Sequence, residues 1–303
     1  MAGRMAGSRA LHWGGAARAV LDARSARTGR VHSVFARSFY VETEAGLACL
    51  GTLSLHNGPR NLIFAEPSGH ALAMPRAGDA LRRAATVLHI GATLAIELAG
   101  VIDWNPGPPP AFDAARIRSA LDRLARVSLP DLGLAPLIAV TCQDSALGPR
   151  PGGMLCARAQ PMLAALGRWA SPGGTTAPDE ALGLIGLGPG LTPAGDDALG
   201  GAMIAARQFG FDVIADRLAA AVLVHARRKT NTISLAHLDS AASGEGADAL
   251  HRMLRALAED DGCALVGALE RLGTIGHSSG LDALAGAAAM LGGLARRDDP
   301  RGG

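Results

Sequence analysis

The chain has 303 residues, of which 49% are hydrophobic and 18% are charged. That is enough material for one or two packed cores without disulfides or structural metals. Aromatic residues make up only 3%, whereas 40 residues are glycine, so helices are expected to pack closely through small side chains. The formal net charge is only +2, and 28 of the 29 basic residues are arginine. This balance argues against strong nucleic-acid binding.

The cysteines have no C-x-x-C spacing, so neither a zinc site nor a disulfide framework is indicated; they are Cys49, Cys142, Cys156 and Cys263. The N-terminal segment is interrupted by arginine and glycine and lacks the apolar stretch of a signal peptide. No later stretch reaches the roughly 18 uncharged apolar residues of a membrane span. We therefore expect a soluble cytoplasmic protein with no membrane partner.

The N-terminal part of the chain shows short apolar runs separated by turn residues, a pattern typical of strands. The runs cover residues 34–43, 47–55, 62–65 and 85–103, with breakers at 57–59 and 67–69. The segment 105–110 reads N-P-G-P-P-P, and its prolines exclude both helix and central strand. We therefore predict a strand-rich N-terminal domain over residues 1–110.

After residue 110 the apolar period changes to that of helices. Residues 112–127 place Ile117, Leu121 and Leu124 on one face. Similar patterns predict helices over residues 154–169, 193–209, 213–228, 247–257, 264–272 and 281–294. A loop is expected at 171–179 and a frayed tail at 296–303. The fold class is therefore α+β, with a mainly helical C-terminal domain over residues 111–303.

Residues 186–197 read G-L-G-P-G-L-T-P-A-G-D-D and lead directly into a helical pattern. Glycines such as Gly188 and Gly190 permit positive φ, and Thr192 followed by Pro193 predicts an N-cap and first helical residue. Amides converging on a helix N-terminus can bind phosphate or carboxylate. The spacing fits neither the Walker nor the Rossmann pattern. The alternative is a tight turn before a capped helix that begins with acidic residues.

Residues 276–282, G-H-S-S-G-L-D, form a second loop before a helix. Ser279 and Asp282 have the spacing of a capping box, which would explain both without a ligand. The two loops nevertheless align without gaps, and the aligned pairs are Gly195/Gly280, Asp197/Asp282, Ala198/Ala283, Leu199/Leu284 and Gly201/Gly286. We hypothesise that the two helix N-termini face one another and share one anion, each offering a hydroxyl and an aspartate.

A third segment, residues 227–234, reads R-R-K-T-N-T-I-S and contains the chain's single lysine, Lys229. The hydroxyls of Thr230, Thr232 and Ser234 beside these cations could complete an anion site. The alternative is a helix that ends in basic residues and is followed by a Thr or Ser cap.

Acid–base, metal and covalent chemistry are three further possibilities. His277 could act as a general acid–base or donate to an oxyanion, the alternative being an ordinary loop residue. Asp196 and Asp197 could hold Mg²⁺, but acidic residues in a first helical turn more often complement the helix dipole. No serine lies in a G-x-S-x-G context and no cysteine has an activating one. No metal, cofactor or covalent intermediate is therefore predicted.

These motifs carry a family resemblance that spans nearly the whole chain. The other segments that share it are V-H-S-V-F (31–35), L-G-T-L-S-L-H-N-G-P (50–59), D-W-N-P (103–106) and T-N-T-I-S-x-x-x-L (230–238). The chain resembles a bacterial family, long catalogued as a domain of unknown function, related to the third, AllH-type subunit of oxamate carbamoyltransferase. The resemblance implies a role in anaerobic allantoin and purine catabolism, where oxalurate and phosphate are interconverted with oxamate and carbamoyl phosphate. It also implies partner subunits, including an FdrA-like one.

All of these substrates are anions, and carbamoyl transfer requires no cofactor. We expect the amides from Gly188 to Gly190 and the Thr192 hydroxyl to bind phosphate. Ser278, Ser279 and Gly280 would meet the acceptor carboxylate or the oxyanion, and Asp197 and Asp282 would hold the acceptor amide or orient the loops. The remaining expected contacts are Gly195, Asp196, Thr230, Thr232 and Ser234.

Two other functions stay open at this point. One is a non-catalytic small-anion-binding or structural subunit of a multisubunit complex. The other is a phosphotransferase or nucleotide binder, for which nucleotide would stabilise the protein against heat. The sequence also leaves open a homo-oligomer.

Overall fold

The computed structural model describes residues 6–22, 28–66, 74–142, 153–171 and 179–297. Contacts divide the chain into two compact units, Met1–Pro106 and Gly107–Gly303. The predicted breaker at 67–69, most of the predicted loop at 171–179 and the predicted tail beyond residue 297 lie outside the described residues. Among the described helices, none combines the length and the apolar character needed to cross a membrane.

The described part of the first unit is dominated by strands. Helix α1 (Gly15–Asp22) follows the first of them. The strands are β1 (Ala6–Gly14), β2 (Thr28–Val34), β3 (Ser38–Thr43), β4 (Gly46–Gly51), β5 (Asn61–Phe64), β6 (Ala80–Ala84), β7 (Val87–Ile90), β8 (Leu94–Glu97) and β9 (Ile102–Trp104).

The sheet of the first unit closes on itself. Neighbouring strands follow the order β5-β4-β3-β2-β6-β7-β8-β1-β9, and β1 also pairs with β5, with Trp13 opposite Leu62. Closure is possible because β1 is long: its first half runs parallel to β8 and its second half pairs with β5 and β9. Side chains alternate between faces, so Phe39 and Val41 of β3 are fully buried.

The strand-rich prediction for the first half is confirmed, but several boundaries were wrong. The predicted run 34–43 is interrupted, because β2 ends at Val34 and β3 begins at Ser38. The run 85–103 contains three strands. Gly91, at φ +55°, lies at the turn between the antiparallel strands β7 and β8, and Gly100, at φ +76°, lies between β8 and β9, which both run parallel to β1. Strand β1 was not predicted, although it is central to closure.

The second unit is helical in its described part. A short 3₁₀ helix, Ala181–Leu184, precedes the glycine-rich loop. The α-helices are α2 (Ala114–Leu124), α3 (Ala135–Cys142), α4 (Gly153–Ala170), α5 (Ala194–Gln208), α6 (Asp212–Lys229), α7 (Thr232–Ala242), α8 (Asp248–Glu259), α9 (Gly262–Leu272) and α10 (Ser279–Arg297).

The seven helices predicted from periodicity are present, with ends displaced by a few residues. On α2, the predicted apolar face of Ile117, Leu121 and Leu124 is buried, and Asp113 caps the helix by accepting from two backbone amides. Helices α3 and α7 were missed. Helix α3 is apolar on nearly all sides (A-P-L-I-A-V-T-C), so it has no amphipathic period by which to recognise it.

A buried histidine, His251, links α8 to the end of α5. Its Nδ1 lies 2.5 Å from Oε1 of Gln208, and its Nε2 accepts from the amide of Gly246 at 3.1 Å. The amide must donate to Nε2, so the ring proton is on Nδ1 and the imidazole is neutral. Burial lowers the pKa of His251 from 6.5 to about 4.

We expect this histidine to make stability pH-dependent. A base whose pKa is lower in the folded state stabilises the fold fully above its unfolded pKa, and loses that contribution as the pH falls from about 6.5 to 4. The shift corresponds to roughly 3 kcal/mol. Chemical denaturation between pH 4 and 7 should therefore show a shallower pH dependence for His251→Gln than for the wild type. His225→Gln, at an exposed histidine of α6, should keep the wild-type slope; equal slopes for all three proteins would contradict the assignment.

Candidate functional site

The centre of the helical unit is a close crossing of α5 and α10. A Cβ atom added to Gly201 would lie 1.9 Å from the carbonyl oxygen of Ala283, and one added to Gly286 would lie 1.8 Å from the carbonyl oxygen of Ala198. Each helix thus presents a glycine to the backbone of the other. Because Ala198 aligns with Ala283 and Gly201 with Gly286, residues that are equivalent in sequence are also equivalent in space.

The equivalence extends to the starts of the two helices. A Cβ on Gly195 would lie 2.0 Å from the carbonyl oxygen of Leu184, and one on Gly280 would lie 2.2 Å from that of Leu272. The amide of Gly195 donates to Leu187, and that of Gly280 donates to Ile275. These two glycines therefore permit each loop to pack against its own helix, and their amides are already used by backbone carbonyls.

The two glycine-containing loops meet at their hydroxyl residues. The Oγ1 of Thr192 lies 2.9 Å from the Oγ of Ser279. The expected N-cap role of Thr192 was wrong: α5 begins at Ala194 with Pro193 at the cap position, and no side chain caps it. The threonine hydroxyl is directed to the other loop instead, which brings the two helix starts together.

Beneath these hydroxyls lies the carboxyl group of Asp197. Its Oδ2 is buried and makes no hydrogen bond to any group in the described residues. Burial raises the pKa of Asp197 well above its ordinary value, and the nearby carboxylates of Asp282 and Asp196 add to the rise. Hydrogen bonds from the hydroxyls of Ser279 and Thr192 oppose it. The carboxyl therefore retains a proton at a higher pH than an exposed aspartate does.

Asp282, the sequence counterpart of Asp197, has a different environment. It is fully buried and accepts hydrogen bonds from the amide of Leu134 at 2.6 Å and from the Oγ of Ser278 at 2.7 Å. Burial raises the pKa of Asp282, and these two hydrogen bonds and His277 oppose the rise. The capping box expected between Ser279 and Asp282 is not formed, because the carboxylate is occupied in holding the turn before α3 against α10.

Asp196 is also committed to local structure. It is 2% exposed and accepts from the amide of Gly186 at 2.7 Å, from the Oγ of Ser234 at 2.6 Å and from the Oγ1 of Thr230. It therefore ties the glycine-rich loop and the start of α7 to α5. Thr232, the remaining hydroxyl of this segment, is exposed.

The basic segment before α7 agrees with the helix-end alternative. Helix α6 ends at Lys229, and Asn231 caps α7 by accepting from the amide of Ser234. The cap is thus an asparagine, not the threonine or serine that the alternative expected. The side-chain amide of Asn231 also donates to the carbonyl of Leu191 at 2.8 Å, so the segment packs directly on the glycine-rich loop.

The glycine-rich loop has the predicted backbone conformation. The φ angles of Gly186, Gly188 and Gly190 are +73°, +114° and +97°. The amides of Gly188 and Gly190 make no hydrogen bond within the described part of the chain. His277 is exposed on the second loop. Across the described residues, no group of three or more His, Cys, Asp or Glu side chains is arranged to hold a metal ion.

The fold and site define a two-unit protein: a closed-sheet unit and a helical unit in which two equivalent glycine-containing helix starts meet over a buried carboxyl. No solved structure matches the chain. The sequence model described as "AllH family N-terminal domain" matches residues 9–103, and that described as "Oxamate carbamoyltransferase subunit AllH" matches residues 184–291. Together they cover most of the chain, which therefore belongs to the AllH family. The expected resemblance is confirmed, and the second match contains all three motifs of the helical unit.

Proposed function

We propose that the chain is a subunit of an oxamate carbamoyltransferase-like enzyme that interconverts oxalurate and phosphate with oxamate and carbamoyl phosphate. Membership in the AllH family supports the subunit assignment. One observation supports a direct role in the chemistry: two separate loops bring the Thr192 and Ser279 hydroxyls to within 2.9 Å of each other, above the protonatable carboxyl of Asp197.

The reaction defines what such a site must supply. The amide nitrogen of oxamate attacks the carbamoyl carbon, a C–N bond forms, and a negatively charged oxygen develops on the tetrahedral carbon. The C–O bond to phosphate then breaks, phosphate leaves with the bonding electron pair, and the attacking nitrogen loses a proton. The protein must donate hydrogen bonds to the developing charge and must accept and release one proton.

In our proposal Asp197 sets the direction in which the two hydroxyls donate. A protonated carboxyl donates its single hydrogen to one hydroxyl oxygen, so that hydroxyl no longer donates to Asp197 and its own hydrogen becomes available to an anion. Burial raises the pKa of Asp197, so its carboxyl holds a proton at a higher pH than an exposed aspartate does, and we propose that it carries the proton in this reaction. The unpaired amides of Gly188 and Gly190 would bind phosphate, and exposed His277 stays a proposed second acid–base group.

In this proposal Asp282 orients neighbouring groups and does not contact substrate. Its carboxylate holds the Ser278 hydroxyl and the Leu134 amide, so it would fix the second loop in place. Asp196, Thr230 and Ser234 would do the same for the first loop. Asp196, Thr230 and Ser234 were expected to meet substrate, and Asp282 either to hold the acceptor amide or to orient the loops. The role we now propose for all four is to orient the groups that contact substrate.

A non-catalytic anion-binding or structural subunit is the second candidate. Two observations favour it: the Thr192 and Ser279 hydroxyls are hydrogen-bonded to each other, and the amides of Gly195 and Gly280 donate to backbone carbonyls. Both loops are therefore held in place without a ligand. In this case the chemistry would take place on FdrA-like or other partner subunits.

The decisive experiment is reconstitution. The chain is incubated with and without its partner subunits, carbamoyl phosphate and oxamate, and oxalurate formation is measured. If activity requires the chain but stays at the wild-type level in Asp197→Ala, Thr192→Ala and His277→Ala, the direct catalytic role is wrong and the structural role stands. Activity without the chain would contradict both.

In the reconstituted enzyme, Thr192→Val and Ser279→Ala should each lower kcat/KM by about 10- to 100-fold, since each removes one hydrogen-bond donor to a charged group. The double variant should lose less than the product of the two single effects, because both hydroxyls serve one anion. Thr274→Val removes an exposed hydroxyl that donates to the carbonyl of Arg271, and serves as the control with wild-type kinetics. Equal rates for the Thr192 and Thr274 variants would contradict the assignment.

A further inference from the structure

A groove runs along the outer side of the glycine-rich loop. It has a volume of about 460 Å³ and lies between the first two turns of α4 and the backbone of residues 183–188. The volume lies within the range of small-molecule sites. Met154 and Leu155 give the α4 side an apolar surface. The groove lies entirely within the helical unit.

Arg158 is the charged side chain that lines this groove. It is exposed and makes no ion pair or hydrogen bond to any described residue. Other arginines of the same unit have such partners: Arg168 pairs with Glu180, and Arg207 pairs with Asp212 and Asp216. The lining contains no aspartate or glutamate. The groove therefore presents a cation whose charge is not balanced by a described side chain.

The opposite wall is a backbone that a ligand can approach closely. Gly188 has φ +114° and its amide is unpaired within the described residues. A Cβ on Gly188 would lie 2.9 Å from the amide nitrogen of Ala194, so this part of the loop is folded against the start of α5. The groove and the Thr192 hydroxyl therefore lie on the same short loop.

We infer that this groove binds the oxyanion of a small molecule, a phosphate or a carboxylate, through Arg158 and the amide of Gly188. A guanidinium forms paired, charge-assisted hydrogen bonds with such groups, and the apolar surface of Met154 and Leu155 accommodates the uncharged remainder. The inference rests on the proposed function in one respect: the proposed reaction is the reason for expecting the ligand to be carbamoyl phosphate or oxamate. Arg158 then selects for anionic substrates and positions them beside the hydroxyl pair.

Binding is measured on the full chain alone by calorimetry, with inorganic phosphate and oxamate as separate probes. Arg158→Gln should weaken the binding of the preferred probe by about 10- to 100-fold, whereas Arg158→Lys should retain part of the affinity. Arg126→Gln removes the same charge from an exposed arginine that does not line the groove, and should bind as the wild type does. Tighter binding of phosphate or of oxamate identifies which oxyanion the groove takes.

Failure of this inference is distinct from failure of the proposed function. If neither probe binds, or if Arg158→Gln and Arg126→Gln bind alike, the groove is not an oxyanion site. The reconstitution assay is a separate measurement, and it still tests whether the chain takes part in carbamoyl transfer. If binding depends on Arg158 but the reconstituted enzyme forms no oxalurate, the groove is established and the proposed reaction is wrong. Gly188→Ala provides a second variant, because it should weaken binding by displacing the loop backbone while Arg158 is intact.

Discussion

Replacing Gly286 with alanine should destabilise the helical unit by about 2 to 4 kcal/mol, because the new methyl group has no space. Its carbon would lie 1.8 Å from the carbonyl oxygen of Ala198, so α5 and α10 must separate. Both helices are buried over most of their length, and their separation would disturb the core of the unit. Thermal unfolding should shift downward by roughly 5 to 15 °C.

The matched control lies in the same helix pair. The nearest atom to a Cβ on Gly200 is the Cβ of Ala241 at 3.5 Å, an ordinary contact. Gly200→Ala should therefore stabilise the protein by about 0.5 to 1 kcal/mol through its better helix propensity. Gly201→Ala should resemble Gly286→Ala, and the double variant should cost less than the two single costs combined, since one separation relieves both clashes. Equal stabilities for Gly200→Ala and Gly286→Ala would show that the helices do not cross this closely.

Asp197→Asn should lower turnover by about 100-fold or more while leaving anion binding nearly intact. The asparagine amide can donate to the Thr192 or Ser279 hydroxyl as the protonated carboxyl does, but it cannot transfer a proton. We therefore expect a fall in kcat with little change in KM for carbamoyl phosphate in the reconstituted enzyme. Asp197→Ala should impair both, because it removes the group that orients the hydroxyls. Wild-type kcat in Asp197→Asn would exclude a proton-carrying role.

The same variant should be more stable than the wild type at alkaline pH. An acid whose pKa is raised by folding stabilises the fold below its unfolded pKa, near about 3.9, and loses that contribution as the pH rises through the folded pKa. The stability advantage of Asp197→Asn should thus grow as the pH rises above the unfolded pKa of aspartate. Asp122→Asn, at an exposed aspartate, should show no such trend. A variant that is less active and more stable indicates a residue kept for function.

Much of the site was accessible from the sequence. The gapless alignment of residues 195–201 with 280–286 predicted two equivalent helix starts, and the glycines of both segments do occupy equivalent close contacts. The purpose of those glycines was misjudged in part. Gly195 and Gly280 were expected to offer amides to an anion, but their amides bond to backbone carbonyls and their missing side chains permit close packing. Composition cannot distinguish these uses, since both require the absence of a Cβ.

The three aspartates of these helix starts also differ in ways that their local sequence does not indicate. All three lie in the first turn of a helix, where a carboxylate complements the helix dipole whatever else it does, so their sequence context is alike. Asp196 accepts hydrogen bonds from three donors and Asp282 from two. The Oδ2 atom of Asp197 accepts none from the described residues. The donors come from residues as distant in sequence as Leu134 and Ser234, and no local pattern indicates them. Arg158 was overlooked for a related reason: an arginine on an ordinary helical pattern has no sequence signal that it lines a groove.

Local sequence patterns are sufficient to predict the strand-rich first half and the helical second half, the positions of most helices and the equivalence of two glycine-containing helix starts. These features depend on short-range spacing: apolar period, proline exclusion and glycine at turns. The folded structure is needed to see that β1 closes the sheet, that the Thr192 hydroxyl meets Ser279 instead of capping α5, and that the Oδ2 atom of Asp197 has no hydrogen-bond partner among the described residues. Each of these depends on a contact between residues far apart in the chain, and such contacts are set by how whole elements pack together.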